Sequence, residues 1–274
     1  MKKGQLRFHK VLILLGIAYL IFLAGIYLLQ EKIIFLPTDE IYLEIDKDKL
    51  NAEEFNLKVN DQTTIHGYFF AEKDPKGTIM FFHGNGGNLT NNFGRVAIAK
   101  KMGYNIAVFD YRGYGQSTGK INSEEDLYQD AEAVYNYLVN EKKIPRNSII
   151  FWGQSLGGAI AMEMAKRHPA KKLILESTFT NLANLTPNVL KYGVPDFLKK
   201  YKFDNLEKFA GISTPILVIH SSEDEMIDFQ NGRDLFAKNP AKKNQFLEIK
   251  GDHNGGFYEN FEENEQTIAD FLER

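Results

Sequence analysis

The 274-residue chain contains no cysteine. That absence excludes disulfides, thiolate zinc sites, a thiol nucleophile and acylation on cysteine, and it leaves redox chemistry silent about compartment. Also lacking are the H-E-x-x-H of a zinc hydrolase, the G-K-[ST] that closes a phosphate loop and the G-x-G-x-x-G of a dinucleotide site. No metal and no cofactor are expected. Internal repeats and low-complexity tracts are missing too, so neither a solenoid nor a disordered linker is expected.

Excess basic charge is lacking over most of the chain. The total is −3, yet residues 1 to 32 carry Lys2, Lys3, Arg7, Lys10 and Lys32 against Glu31 alone, a net +4 that leaves −7 for the remainder. An acidic globular part offers little to a phosphate backbone, and no nucleic-acid partner is expected.

What the sequence does hold, at its start, is an uncharged run from Val11 to Leu29. Nineteen residues at about 1.5 Å each are enough to cross a bilayer core, so a transmembrane helix over 11–29 is expected. The run exceeds a signal-peptide core, and Gln30-Glu31-Lys32-Ile33-Ile34-Phe35 has no small-residue cleavage site. The reading is an uncleaved signal anchor behind a basic cytoplasmic tail, residues 1–10. Positive charge on the cytoplasmic side then sends residues 37–274 across, to a periplasm, cell exterior or lumen.

From Ile41 onward, β-branched or aromatic runs alternate with amphipathic stretches, the pattern of an α/β domain with a largely parallel sheet. Ile41 to Ile45, Glu54 to Val59 and Thr63 to Phe70 are expected as strands, the last two joined by a turn at Asn60-Asp61. Six apolar runs fit buried parallel strands: Thr78 to Phe82, Asn105 to Phe109, Ser148 to Trp152, Lys172 to Leu175, Pro215 to Ile219 and Gln245 to Ile249. Ile121 to Asn140 is expected as a helix opened by Ser123-Glu124-Glu125-Asp126. Residues 179–208, rich in apolar side chains and broken by Pro187 and Pro195, read as short helices forming a cap.

Gly153-Gln154-Ser155-Leu156-Gly157 stands between the apolar run ending at Trp152 and the alanine-rich stretch Gly158 to Arg167. A serine on a sharp strand-to-helix turn is exposed as a nucleophile, and the helix N-terminus favours negative charge beside it. His83-Gly84-Asn85-Gly86-Gly87-Asn88 follows another strand and reads as the second half of an oxyanion hole. The backbone N–H groups of Asn85 and Leu156 are the expected donors.

Serine needs a base, and the six histidines can be sorted. His9 precedes the apolar run, His66 lies in an early strand, His83 belongs to the oxyanion loop, His168 ends a helix and His220 ends a strand. His253, in Gly251-Asp252-His253-Asn254, follows the last strand and is the expected base. Asp224, after the strand Pro215 to Ile219, is the expected acid, with Glu223, Glu225, Asp228 and Glu176 as alternatives. Asp110-Tyr111-Arg112-Gly113-Tyr114-Gly115-Gln116-Ser117 reads as scaffold buttressing the nucleophile.

Through FFHGNGGN at 81–88, DYRGYGQS at 110–117, GQSLGG at 153–158, the Asp224 loop and GDHN at 251–254, the chain resembles the α/β-hydrolase superfamily. It looks most like a membrane-anchored subgroup with an HGN oxyanion loop, whose relatives include protein depalmitoylases and lysophospholipid hydrolases. Ser221, where many relatives have glycine, departs from the pattern. The resemblance implies an α/β-hydrolase fold with a mostly parallel eight-stranded sheet, a small helical cap and the site at the strand carboxyl ends. It also implies the triad Ser155, Asp224 and His253. The expected activity is hydrolysis of esters or thioesters of acylated or apolar substrates, either small, lipid-like molecules or acylated proteins. The alternatives are a peptidase or amidase using the same triad and a catalytically silent membrane-bound binding protein.

Overall fold

The apolar runs form one twisted sheet because strands covered on both faces must be apolar on both. The computed structural model describes residues 2–185, 194–241 and 243–273. Its eight-stranded sheet contains β1 (Ala52–Asn60), β2 (Thr63–Phe70), β3 (Thr78–Phe82), β4 (Asn105–Phe109), β5 (Ile149–Gln154), β6 (Lys172–Glu176), β7 (Ile216–Ser221) and β8 (Gln245–Ile249). Their spatial order is β8-β7-β6-β5-β3-β4-β2-β1. β1 pairs antiparallel with β2, and β2 with β4; every other pairing is parallel. This is the expected α/β-hydrolase fold with its mostly parallel sheet.

Side chains alternate between two cores, Met80 and Phe82 facing one, Ile79 and Phe81 the other. Before the sheet stands the apolar helix α1 (Lys2–Ile34). One sheet face is covered by α3 (Glu124–Asn136), α4 (Leu156–Arg167) and α5 (Gln230–Lys238) through Leu127, Val134, Ile160 and Leu235. The other is covered by α2 (Phe93–Lys101) and α6 (Gly256–Glu273) through Val96, Ala99, Phe257, Ile268 and Leu272.

Several expectations need correction. Ile41 to Ile45 forms no strand. Backbone groups in and just before it are occupied by side chains instead, with Asn88 donating to Thr38 O and Glu40 O and Tyr42 N–H donating to Thr90 Oγ1. The hairpin turn lies one residue later than expected, at Asp61-Gln62, because Asn60 pairs with Thr63 and its side chain accepts from Gln62 N–H. The helix expected over 121–140 starts at Glu124, where Ser123 and Asp126 form a capping box, and Tyr137–Glu141 widens into a π-turn. In the stretch expected as a cap, single turns occupy Leu182–Leu185, Asp196–Leu198 and Asn205–Lys208. Pro187, Val189, Leu190 and Tyr192 lie outside the described residues.

α1 does not stop at Leu29. It continues to Ile34, and the buried Gln30 ties it to the sheet domain: its amide donates to Leu198 O at 2.9 Å and accepts from Lys200 N–H at 2.9 Å. From Val11 to Leu29, nearly every large apolar side chain of α1 is exposed. The helix is long and apolar enough to cross a membrane.

The loop after β4 is pinned to α3 by charge. Arg112 donates to Asp130 through Nε and Nη2, at 2.9 and 2.7 Å, and its Nη1 reaches Asp126. Asp130 is fully buried. Burial pushes its carboxyl up, and the hydrogen bonds and charge of Arg112 oppose that. Arg112→Met leaves this carboxylate without its partner, and we expect unfolding free energy to fall by about 3–5 kcal/mol. Urea denaturation would measure it, and a loss below about 1 kcal/mol would contradict the pairing as a stabilising contact.

Candidate active site

Ser155 sits between β5 and α4 with φ of +51° and ψ of −117°, a backbone geometry that a non-glycine residue holds only under constraint. The constraint is visible. Ser155 N–H donates to Glu176 O at 2.8 Å, and Ser155 O accepts from Gly158 N–H and from Thr178 Oγ1. The flanking glycines are required by contact: a Cβ on Gly157 would fall on Phe82 O, and one on Gly153 on Gly157 O. Leu156 is the first residue of α4, so its N–H has no intrahelical acceptor.

The loop after β3 packs on this turn, with the Cβ position of Gly84 only 3.6 Å from Ser155 Cβ. Asn85 is held by its acceptors. Tyr114 Oη donates to Asn85 O at 2.9 Å, and Leu36 N–H reaches both Asn85 O and Oδ1, at 3.4 and 3.3 Å. Among the described residues Asn85 N–H meets no acceptor. Leu36–Pro37 runs parallel to Gly86–Gly87, so the chain leaving α1 lies as a short strap on this loop. Sequence reasoning missed that strap because the contact spans 49 residues.

At the other side, His253 Nδ1 donates to Asp224 Oδ2 at 2.8 Å. Asp224 Oδ1 accepts from the N–H groups of Met226 and Ile227. Burial of Asp224 favours the neutral acid, but the hydrogen bonds from His253, Ile227 and Met226 outweigh it and hold its pKa below the usual carboxylate value. A proton fixed on Nδ1 leaves Nε2 as the basic nitrogen of the neutral ring. The structure brings Asp224 and His253 together; it does not join Ser155 Oγ to His253 by a hydrogen bond. Among the described residues both Ser155 Oγ and His253 Nε2 lack hydrogen-bond partners.

The alternative acids have other work. Glu223 accepts from Gly251 N–H and Glu225 from His253 N–H, both at 3.0 Å, so they stitch the Asp224 loop to the His253 loop. Ser221 adds to this, its Oγ donating to Gly251 O and accepting from Glu223 N–H. Asp228 accepts from Gln230 N–H. Glu176 is buried against Arg95 and accepts from Trp152 Nε1. His220 donates to Ile227 O and lies 3.5 Å from Asp224 Oδ2, beneath the acid loop. His66 and His168 pair with Glu54 and Glu132. Among the described residues no group of three or more His, Asp or Glu could hold a metal ion.

The loop at 110–117 was expected to buttress the nucleophile, but its tyrosines brace the oxyanion loop instead. Tyr111 Oη donates to His83 O, and Tyr114 Oη to Asn85 O. Between them lies a buried pair, His83 Nε2 at 3.7 Å from Asp110 Oδ1. Burial pushes the His83 imidazolium down to about 4. It pushes the Asp110 carboxyl up to about 7 against backbone N–H donation from Leu89 and Gln116.

Alpha/beta hydrolase domain-containing protein 17B from Xenopus tropicalis is 34% identical over 238 residues, covering 77% of this chain and 79% of that protein. The chain belongs to the α/β-hydrolase family. Within it, the model of the family described as serine aminopeptidase, S33, matches residues 73–208 of this hydrolase. A mimivirus protein, R595, described as uncharacterized, is 29% identical over 224 residues, covering 74% of this chain and 76% of that protein. The human 17B protein is 34% identical over 171 residues, 60% of this chain but 56% of its own length. Two solved structures share the fold. The Pyrococcus furiosus esterase Pf2001 gives a TM-score of 0.74 at 17% identity, covering 88% of this chain and 97% of that one. An alpha-beta hydrolase from Vibrio vulnificus gives 0.66 at 22%, covering 85% and 88%.

The raised Asp110 pKa has a consequence for stability. The native carboxyl keeps its proton to about pH 7, whereas an unfolded one loses it near 3.8. This contribution to stability is therefore full below pH 3.8 and is lost as pH rises through about 7. Asp110→Asn removes that dependence. The thermal midpoint of the wild-type hydrolase should fall more between pH 5 and 8 than that of the variant, and equal falls would refute the assignment.

Proposed function

We propose that this hydrolase cleaves carboxylic ester or thioester bonds through Ser155, His253 and Asp224. The observation that carries the reading is the 2.8 Å His253–Asp224 bond combined with the constrained turn at Ser155. Ser155 Oγ attacks the acyl carbon while its proton passes to His253 Nε2, and Asp224 stabilises the imidazolium. The negative oxygen is met by the N–H groups of Asn85 and Leu156. Collapse expels the alcohol or thiol, which takes the proton from His253. Water then attacks the acyl-enzyme with His253 again as base, releasing the acid and restoring Ser155.

We further propose that α1 anchors the hydrolase in a membrane, with the basic residues before Val11 on the cytoplasmic side and the catalytic domain on the other. Support comes from the exposed apolar face of α1 and from the charge difference across it. An anchored domain with apolar surface beside its site suits acylated or lipid-like substrates. A second reading, amide cleavage, is favoured by the serine aminopeptidase description of the matching family. Matched p-nitrophenyl esters and p-nitroanilides separate the two.

A fluorophosphonate probe should label the wild-type chain and leave Ser155→Ala unlabelled. Asp224→Asn, which allows the wrong imidazole tautomer, should lower kcat by roughly 10⁴ with little change in thermal stability. Intact, natively folded protein that fails to react with the probe would instead indicate a binding protein that keeps the fold.

A further inference from the structure

Where α1 docks on the sheet domain, the two do not close completely. A cavity of about 350 Å³ remains between them. Ile26, Ile33 and Ile34 of α1 form one wall, and Leu182, Val194 and Tyr201 form the other. Lys199, Lys202, Asp196 and Asp204 supply the polar part of its lining. The walls are held in place. Gln30, which also lines the cavity, makes its two bonds to Leu198 and Lys200, and Lys200 lies 4.6 Å above the Tyr27 ring and pairs with Glu31. Phe35 is buried edge-on against Tyr201, with 5.0 Å between ring centroids.

We infer that this cavity is the binding site for a single acyl chain of the substrate, entering along α1 from the bilayer. The inference rests on the proposed reading of α1 as a membrane anchor and of the enzyme as an acyl hydrolase. Three observations commit the site to that occupant. Its α1 wall is continuous with the exposed apolar surface of the helix, since Leu29 and Ile33, which neighbour Ile26 on the helix, are both exposed. A chain leaving the hydrocarbon layer can therefore follow apolar side chains of α1 to the cavity. The lining is mainly apolar by area and includes charged groups, which suits an apolar tail with a polar end. The third observation is position: Ile34 lines the cavity, and Leu36, two residues on and about 7 Å along an extended chain, donates to Asn85 of the oxyanion loop. On the proposed reading, a tail lying against Ile34 has its carbonyl directed along the strap towards that loop.

Each buried methylene is worth about fourfold in affinity. The full-length enzyme in a fixed detergent should therefore show kcat/KM for p-nitrophenyl esters rising with acyl length from C4 towards C16. Ile26→Trp narrows the cavity from the α1 side, away from the reacting groups. It should leave C4 hydrolysis unchanged and reduce C16 hydrolysis at least tenfold. Equal chain-length profiles in variant and wild type would overturn the inference. Should Ile26→Trp lose C4 activity through misfolding, a second measurement decides. Palmitate carrying a terminal diazirine, irradiated with Ser155→Ala protein, should label peptides containing residues 26–34 or 194–202; labelling confined to other peptides would also overturn it. Labelling of these peptides in a chain that cleaves no ester would keep the acyl site and reject the hydrolase reading instead.

Discussion

The beginning of α4 is pressed onto the ends of β3 and β6 so tightly that side chains are excluded from the contact, and the rest of the site depends on that approach. Gly157 touches Phe82 O, Gly158 meets Thr178, and Ser155 is bonded from both neighbours, Glu176 and Thr178. Any Cβ at these glycines would push α4 away from the sheet. The positive φ of Ser155 is the local cost of the approach, and the central parallel strands are buried on both faces and can resist the distortion. The same closeness seats Gly84 against Ser155, so the two expected oxyanion donors come from loops that are already in contact.

Buried charge is arranged around this contact and kept out of it. Glu176 ends β6, the strand beside the Ser155 turn, where the sequence made it a candidate acid. Instead Arg95 pairs with it and packs among Phe81, Phe257 and Tyr258, while Trp152 donates to the same carboxylate. Burial disfavours the Arg95 cation, but the charge of Glu176 more than compensates and its pKa rises. Such a pair is costly to break from one side only. Glu176 is thereby committed to joining α2 and α6 to the sheet. Asp224 differs in having His253 as its partner and backbone N–H groups as its remaining donors.

The central parallel strands were legible in the sequence because burial on both faces leaves a largely apolar run, and Thr78 to Phe82 and Asn105 to Phe109 have the bounds expected; Gln245 to Ile249, at the sheet edge and partly exposed, also has the bounds expected. Ile41 to Ile45 has the same local composition but no strand, since its neighbourhood offers side-chain donors and acceptors from Asn88 and Thr90 where a ladder would need backbone. Ser155 and His253 could be proposed from motif and chain order. The choice among four acidic residues between 223 and 228 could not be made on composition, because it turns on which carboxylate faces the imidazole and which face backbone N–H groups. Ser221 stands where many relatives have glycine. Its hydroxyl binds the two loops that hold Asp224 and His253.

Least legible was the end of α1. Gln30, Glu31 and Lys32 look like the polar border of an apolar helix, and the sequence offers no sign that Gln30 is buried with both ends of its amide satisfied. The consequence is mechanical. A helix followed by a loose linker would leave the domain free to turn; here the helix end, the buried Phe35 and the strap at Leu36–Pro37 are successive contacts with one body. The last of these bonds the same two oxygens of Asn85 that Tyr114 bonds. Removing α1 together with this strap would thus remove more than a tether, since the strap is one of the contacts that hold the 83–88 loop beside Ser155.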